Sequence, residues 1–249
     1  MVSSEQRRRQ LAREKFERQQ QRREAARRKA RRRNTIIATT LAVVVAAGGV
    51  AFATGAFSGD GKKSDSADPS AEPKMTVDAK AKYDMALKTN AGDIKITMDA
   101  AKTPHTVNSF KYLADKGYFD NTKCHRLTTQ NIYVLQCGDP KGTGSGGPGY
   151  TIPDEDLTGL GKAGADGTVT YRAGTVAMAN TGQAHTGGSQ FFLVYKDTKL
   201  PPSYTPFGTM DAAGLKAVQD VAKEGVEGGS TDGAPKKAVT IQKAAVTKE

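Results

Sequence analysis

Between Thr35 and Phe57 the chain runs for 23 residues without one charged side chain. At 1.5 Å of rise per residue such a helix spans roughly 34 Å, against a hydrocarbon core of about 30 Å. A buried helix of a water-soluble domain rarely goes so far without a charge. The run therefore reads as a transmembrane helix over 35–57, and it divides the chain. Residues 1–34 before it are a basic tail. Residues 58–80 after it are rich in Ser, Asp, Pro and Lys and poor in large apolar side chains, the composition of a flexible linker. Residues 81–249 form the body. Ala51 and Ala53 offer a small-residue cleavage pattern, but the basic stretch and the apolar run are both longer than a cleavable signal peptide needs. An uncleaved single-pass anchor is expected in the cytoplasmic membrane, with the basic N-terminus inside and the body outside.

The formal net charge is +11, and the tail, with 14 Lys/Arg against 4 Glu, carries nearly all of it. The body has no excess of positive charge to neutralise a phosphate backbone, so no nucleic-acid partner is expected. Residues 5–33 lack Gly and Pro and are rich in helix formers. They read as a solvated, partly helical cytoplasmic segment suited to anionic lipid. Three His and two Cys stand far from any ligand-like spacing, so neither a metal nor another cofactor is expected.

Within the body, Tyr83–Thr89 and Ile94–Met98 flank Asn90-Ala91-Gly92-Asp93, and Ile94, Ile96 and Met98 alternate with polar residues. This is a hairpin pattern with one buried face. Thr103-Pro104 opens a helix that Gly117 stops, with Thr103 as the expected N-cap. His105 and Asn108 on it read as surface or satisfied polar residues. Cys124–Thr129 and Ile132–Cys137 are strand-like runs about a turn at Gln130-Asn131. The Gly-rich segment Gly138–Tyr150 lacks the Lys-Ser/Thr and the following helix of a nucleotide loop and reads as structural. Gly174–Ala179, Gln190–Tyr195 and Lys236–Ala245 add short strands, and Ala212–Lys223 a second helix. Many short strands, two helices and no strand-helix-strand alternation point to a closed β-barrel or a sandwich.

With the turn centred near Gln130-Asn131, antiparallel pairing sets Cys124 opposite Cys137. Opposite Cα atoms lie about 4.5–5.5 Å apart, inside the disulfide range. A cross-strand bridge and two buried thiols packed as small apolar side chains both fit this spacing.

Several segments in order resemble one family. They are Thr103-Pro104 with Thr106-Val107-Asn108-Ser109-Phe110, His125-Arg126-Leu127, Gln136-Cys137-Gly138-Asp139-Pro140, Gly142-Thr143-Gly144 with Gly146-Gly147-Pro148-Gly149-Tyr150, Ala177-Met178-Ala179-Asn180, Gly188-Ser189-Gln190-Phe191-Phe192 and Phe207-Gly208. Together they resemble a cyclophilin-type peptidyl-prolyl cis-trans isomerase, here in a membrane-anchored bacterial form. The resemblance covers nearly the whole body and none of the tail, span or linker. It implies a mainly β fold, an eight-stranded antiparallel barrel closed by two helices, acting as a monomer on proline-containing peptides and unfolded segments. It also implies roles. Arg126 is the catalytic donor and Gln136 steadies it. Tyr133, Val134, Phe192 and Leu200 form the proline pocket, Gln190 holds the substrate backbone, and Ala179 and Asn180 form the rim. Tyr133 and Val134 stand where relatives usually have Phe and Met. Tyr204 stands for a His and offers a hydroxyl donor, and Lys199 stands for a Trp. The alternative from another functional class is a proline-segment binding or chaperone module with little turnover.

Overall fold

In the computed structural model of the chain, which describes residues 71–249, the alternating run forms the expected hairpin. Strands β1 (Lys82–Thr89) and β2 (Ile94–Asp99) pair antiparallel. Tyr83, Met85 and Leu87 face Met98, Ile96 and Ile94, all of them buried. The basic tail, the uncharged run and most of the linker lie outside the described residues. No helix among the described residues is long and apolar enough to cross a membrane. The end of the expected linker is not free: Asn108 accepts from the Thr76 backbone at 2.8 Å and donates to the carbonyls of Pro73 and Lys74. Val77 is buried in the core.

Helix α1 (Pro104–Asp115) starts where Pro is tolerated. Its cap differs from the expected one. Thr103 makes no side-chain capping bond and donates instead to the Asp99 carbonyl. Glu155 reaches in from a distant loop and accepts from the His105 and Thr106 backbone N–H groups at 3.0 and 2.9 Å. A carboxylate on the exposed N–H groups at the positive end of a helix is doubly favourable. Helix α2 (Ala212–Glu224) is capped locally, by Asp211 accepting from Gly214.

The other strands are β3 (Thr122–Cys124), β4 (Arg126–Thr128), β5 (Val134–Cys137), β6 (Val169–Tyr171), β7 (Thr175–Met178), β8 (Phe191–Val194), β9 (Thr198–Leu200), β10 (Pro206–Met210), β11 (Asp232–Gly233) and β12 (Val239–Lys248). Ten of the twelve strands among the described residues form one antiparallel sheet in the order β11-β4-β5-β8-β7-β10-β2-β1-β12-β3, and β6 pairs with β9 apart from it. The expectation of a closed eight-stranded barrel is thus corrected. Among the described residues the ladder is a curled half-barrel with two open ends. The reason lies at His125, which splits the expected run Cys124–Thr129 in two. β3 pairs with β12, whereas β4 pairs with β5 and β11. Consecutive strands therefore stand near opposite ends of the sheet, and the sheet must curl to bring those ends towards each other.

A disulfide joins Cys124 to Cys137 with Cα atoms 4.0 Å apart. It does not arise from the expected register. Arg126 faces Gln136 and Leu127 faces Leu135, one residue out from a turn centred on Gln130-Asn131. The bridge instead ties the end of β3 to β5 across the seam of the curl.

Phe110 on α1 packs against Phe119, Phe191 and Phe207 at centroid separations of 5.4, 5.5 and 4.6 Å. These rings fill the middle of a core that has no Trp. A second apolar cluster lies on the other face of β5, β8 and β7. It holds Val134, Ala177, Phe192, Val194 and Leu200, with Val169 and Tyr171. Being buried on both faces explains the unbroken apolar run of β8.

Candidate active site

Strand register assembles the site. Arg126 on β4 faces Gln136 on β5, Gln136 faces Phe192 on β8, and Phe192 faces Ala177 on β7. This single row across four strands places a cation, an amide and an aromatic ring side by side on one face of the sheet. Opposite residues share a face because the side-chain period is two, so the sequence separations, from 10 to 66 residues, are immaterial to the contact.

A polar relay runs along the row. Arg126 Nη1 donates to Gln136 Oε1 at 3.3 Å, Gln136 Nε2 to Gln190 Oε1 at 2.8 Å, and Gln190 Nε2 to the Gly146 carbonyl at 2.9 Å. Next to it is a cavity of about 160 Å³ lined by Arg126, Ile132, Val134, Gln136, Ala179, Asn180, Phe192, Leu200 and Tyr204. The β6–β9 pair supplies the Leu200 wall, and Tyr171 holds Tyr204 by donating to its carbonyl at 2.8 Å. Burial pushes the Tyr171 hydroxyl up to about 12, so it stays protonated as a donor. A wider groove of about 690 Å³ adjoins the cavity and shares Gln136, Ala179 and Asn180 with it.

The cavity brings together Arg126, Gln136, Val134, Phe192, Leu200, Ala179, Asn180 and Tyr204, with Gln190 one hydrogen bond away. It does not include Tyr133. That ring lies edge-on to Tyr195 at 6.0 Å, under the Lys196 ammonium at 4.4 Å, and packs against the main core. The correction is one of parity: Val134 and Gln136 share a face with Ile132, while Tyr133 points the other way. Lys199 pairs with Asp166 and takes no part in the lining.

Two residues that lie within the motifs but were given no role there stand beside the site. Asp139 is fully buried, and burial alone would raise its pKa. The backbone N–H groups of Gly146, Lys141, Thr143 and Gly144 overcome this and hold the carboxyl at about 2. The Gly-rich loop is thereby wound around one carboxylate, and a Cβ at Gly146 would fall 1.9 Å from Asp139 Oδ1. This loop presents the carbonyl that ends the relay. His125, next to Arg126, has both ring nitrogens buried without a hydrogen-bond partner among the described residues. Burial lowers its pKa and keeps the imidazole neutral at pH 7.

Arg126 itself is clamped. Nε and Nη2 donate to the two carboxylate oxygens of Asp232 at 2.7 and 2.8 Å. This bond raises the guanidinium pKa further and lowers that of Asp232. The arrangement offers a permanently charged, oriented donor above an apolar hollow. It suits a ring-shaped apolar group attached to a weak acceptor.

Residues 84–246 match the family model for cyclophilin type peptidyl-prolyl cis-trans isomerase/CLD. A probable peptidyl-prolyl cis-trans isomerase B of Mycobacterium tuberculosis is 49% identical over 165 residues, which are 65% of this chain and 53% of that protein. A peptidyl-prolyl cis-trans isomerase of Helicobacter pylori is 35% identical over 59% of this chain and 83% of its own length. The matched region thus spans about half the length of the mycobacterial relative. A solved cyclophilin type peptidyl-prolyl cis-trans isomerase of Cryptosporidium parvum superposes with a TM-score of 0.53 at 25% identity, covering 68% of this chain and 99% of its own. The same protein has been solved in the presence of the dipeptide Ala-Pro. By the extent of the family match and by the fold, the chain belongs to the cyclophilin-type peptidyl-prolyl cis-trans isomerase family.

Proposed function

We propose that this chain catalyses cis-trans isomerisation of X-Pro peptide bonds. The observation that carries the reading is the row Arg126–Gln136–Phe192, a fixed cation beside a small apolar hollow. Rotation about the bond meets a barrier of about 18–20 kcal/mol, because the C–N bond has partial double-bond character. At the twisted geometry the resonance is lost and the prolyl nitrogen becomes a hydrogen-bond acceptor. A catalyst then needs no nucleophile and no proton transfer. It needs a donor preorganised for that nitrogen, strong in the twisted state and weak in the planar one. Arg126 is that donor. Ile132, Val134, Phe192 and Leu200 hold the proline ring, so that rotation falls on the preceding carbonyl. Ala179, Asn180 and Gln190 hold the peptide backbone, and the Tyr204 hydroxyl donates to a substrate carbonyl.

A short X-Pro peptide and the full chain test the reading. We expect isomer exchange, which takes tens of seconds unaided, to accelerate in proportion to the amount of chain. Peptide binding without acceleration would sink the enzyme reading and leave a proline-binding module. We also propose, from residues 35–57 and the preceding basic tail, that the domain is a monomer tethered outside the cytoplasmic membrane, where it assists protein folding. Release of the chain from membranes by high salt alone would contradict the anchor.

A further inference from the structure

We infer that Asp232 is a positioning residue for the reaction: it holds the Arg126 guanidinium in the orientation that presents its free edge to the cavity. The inference rests on the isomerase reading above. A guanidinium has five N–H donors in one plane. Asp232 engages Nε and Nη2 together at 2.7 and 2.8 Å. A two-point bond fixes both the plane and the rotation within it, which a one-point bond cannot do. What is left are the two N–H groups of Nη1 and one of Nη2, which lie along the opposite edge of the plane, and on this edge Nη1 reaches Gln136 Oε1 at 3.3 Å.

The chain builds a dedicated support for this carboxylate. β11 is two residues long, and among the described residues it pairs only with β4, the strand that carries Arg126. Asp232 faces Thr128, and Gly233 faces Leu127. The segment that leads there folds back after α2 and is closed by the Val226–Pro235 bridge, by Glu227 N–H to the Ala234 carbonyl at 2.9 Å, and by Lys236 N–H to the Gly225 carbonyl at 2.9 Å. Ser230 binds the Asp232 backbone on both sides, accepting from its N–H and donating to its carbonyl. Thr129 N–H bonds the Thr231 carbonyl at 2.9 Å. Arg126 and Asp232 are half exposed. Ion pairs in such places usually add little stability. The consequence of this pair is therefore expected in catalysis, through the orientation of a flexible four-bond side chain, and not in folding.

A double-mutant cycle in the full chain tests this on an X-Pro peptide: wild type, Asp232→Ala, Arg126→Ala and the double variant. We expect Asp232→Ala to lower kcat about tenfold with KM within about twofold, since orientation of the donor counts in the twisted state and not in binding. In the Arg126→Ala background the same change should have no further effect on kcat. Asp232→Asn keeps the shape and one acceptor and should fall between wild type and Asp232→Ala. An equal loss from Asp232→Ala in both backgrounds would mean a general structural effect and would overturn the proposal. So would an Asp232→Ala variant as active as wild type while Arg126→Ala is impaired. Failure of Arg126→Ala to lower activity would instead strike at the isomerase reading itself, so the two failures are distinguishable.

Discussion

Arg126, Gln136 and Phe192 face one another although 66 residues of chain separate the first from the last. Their identities were legible in the ordered motifs. The mutual register was not, because it depends on where each short strand starts. Tyr133 shows the limit. Counting back three positions from Gln136 gives the opposite face of a regular strand; the structure lines the cavity with Ile132 and Val134 instead, the residues that period-two alternation puts on the Gln136 face. Accordingly, Ile132→Ala should raise KM for an X-Pro peptide about five- to tenfold, whereas Tyr133→Ala should leave kcat/KM within about twofold. Steady-state kinetics on the two variants check this, and the reverse ranking would place the pocket wrongly. Asp232 left no local signal, since its partner is 106 residues away. Asp139 did leave one: a short acidic residue ahead of several glycines commonly bonds the backbone N–H groups that follow. Its folded pKa of about 2 lies below the ordinary 3.8. The stability it gives is present above the ordinary carboxylate range and is lost as pH falls from about 4 through about 2. Asp139→Asn should therefore remove about 2 kcal/mol at pH 7 and flatten the acid limb of the stability curve. Urea unfolding at pH 7 and pH 3 measures both, and an unchanged pH dependence would contradict the assignment.

Among the elements, the β1–β2 hairpin and both helices follow from apolar spacing and turn residues, because each is set by contacts within one stretch of chain. The split between β3 and β4 does not. A strand-like run gives no warning that a break at His125 will leave Cys124 at the end of a strand paired with β12 while Arg126–Thr128 pair with β5 and β11. The cap of α1 is similar. Thr103 had the right chemistry in the right place, but its hydroxyl turns back to Asp99 and Glu155 takes the helix N-terminus instead. Glu155 Oε2 also accepts from Thr106 Oγ1 at 2.7 Å, so its loss frees three donors. Glu155→Ala should cost about 1–2 kcal/mol and lower Tm by roughly 3–8 °C. Thermal unfolding measures it, and a Tm within a degree of wild type would mean that water serves the helix end equally well.

For the molecule as a whole, composition and charge divided the chain into a basic tail, an uncharged run and a nearly neutral body, and the motifs identified the body. The curl of the sheet was less accessible, because closure depends on how ten short strands are ordered. The Cys124–Cys137 bridge crosses the seam between β3 and β5. Closing a loop of about 14 residues should contribute about 3 kcal/mol in the chain-entropy model. The Cys124→Ala, Cys137→Ala double variant should lose that much in urea unfolding, and peptide mapping without reductant should find the two cysteines linked. Freely alkylated thiols would show that the seam is held without a covalent tie. The central claim remains that one oriented cation lowers the rotation barrier. The most direct measurement is kcat/KM for X-Pro isomerisation by the Arg126→Ala chain beside the wild type. Deleting a preorganised electrostatic donor should lower it by about two to three decades while the far-UV spectrum and Tm stay put. A variant folded like the wild type and within about threefold of its activity would contradict the account.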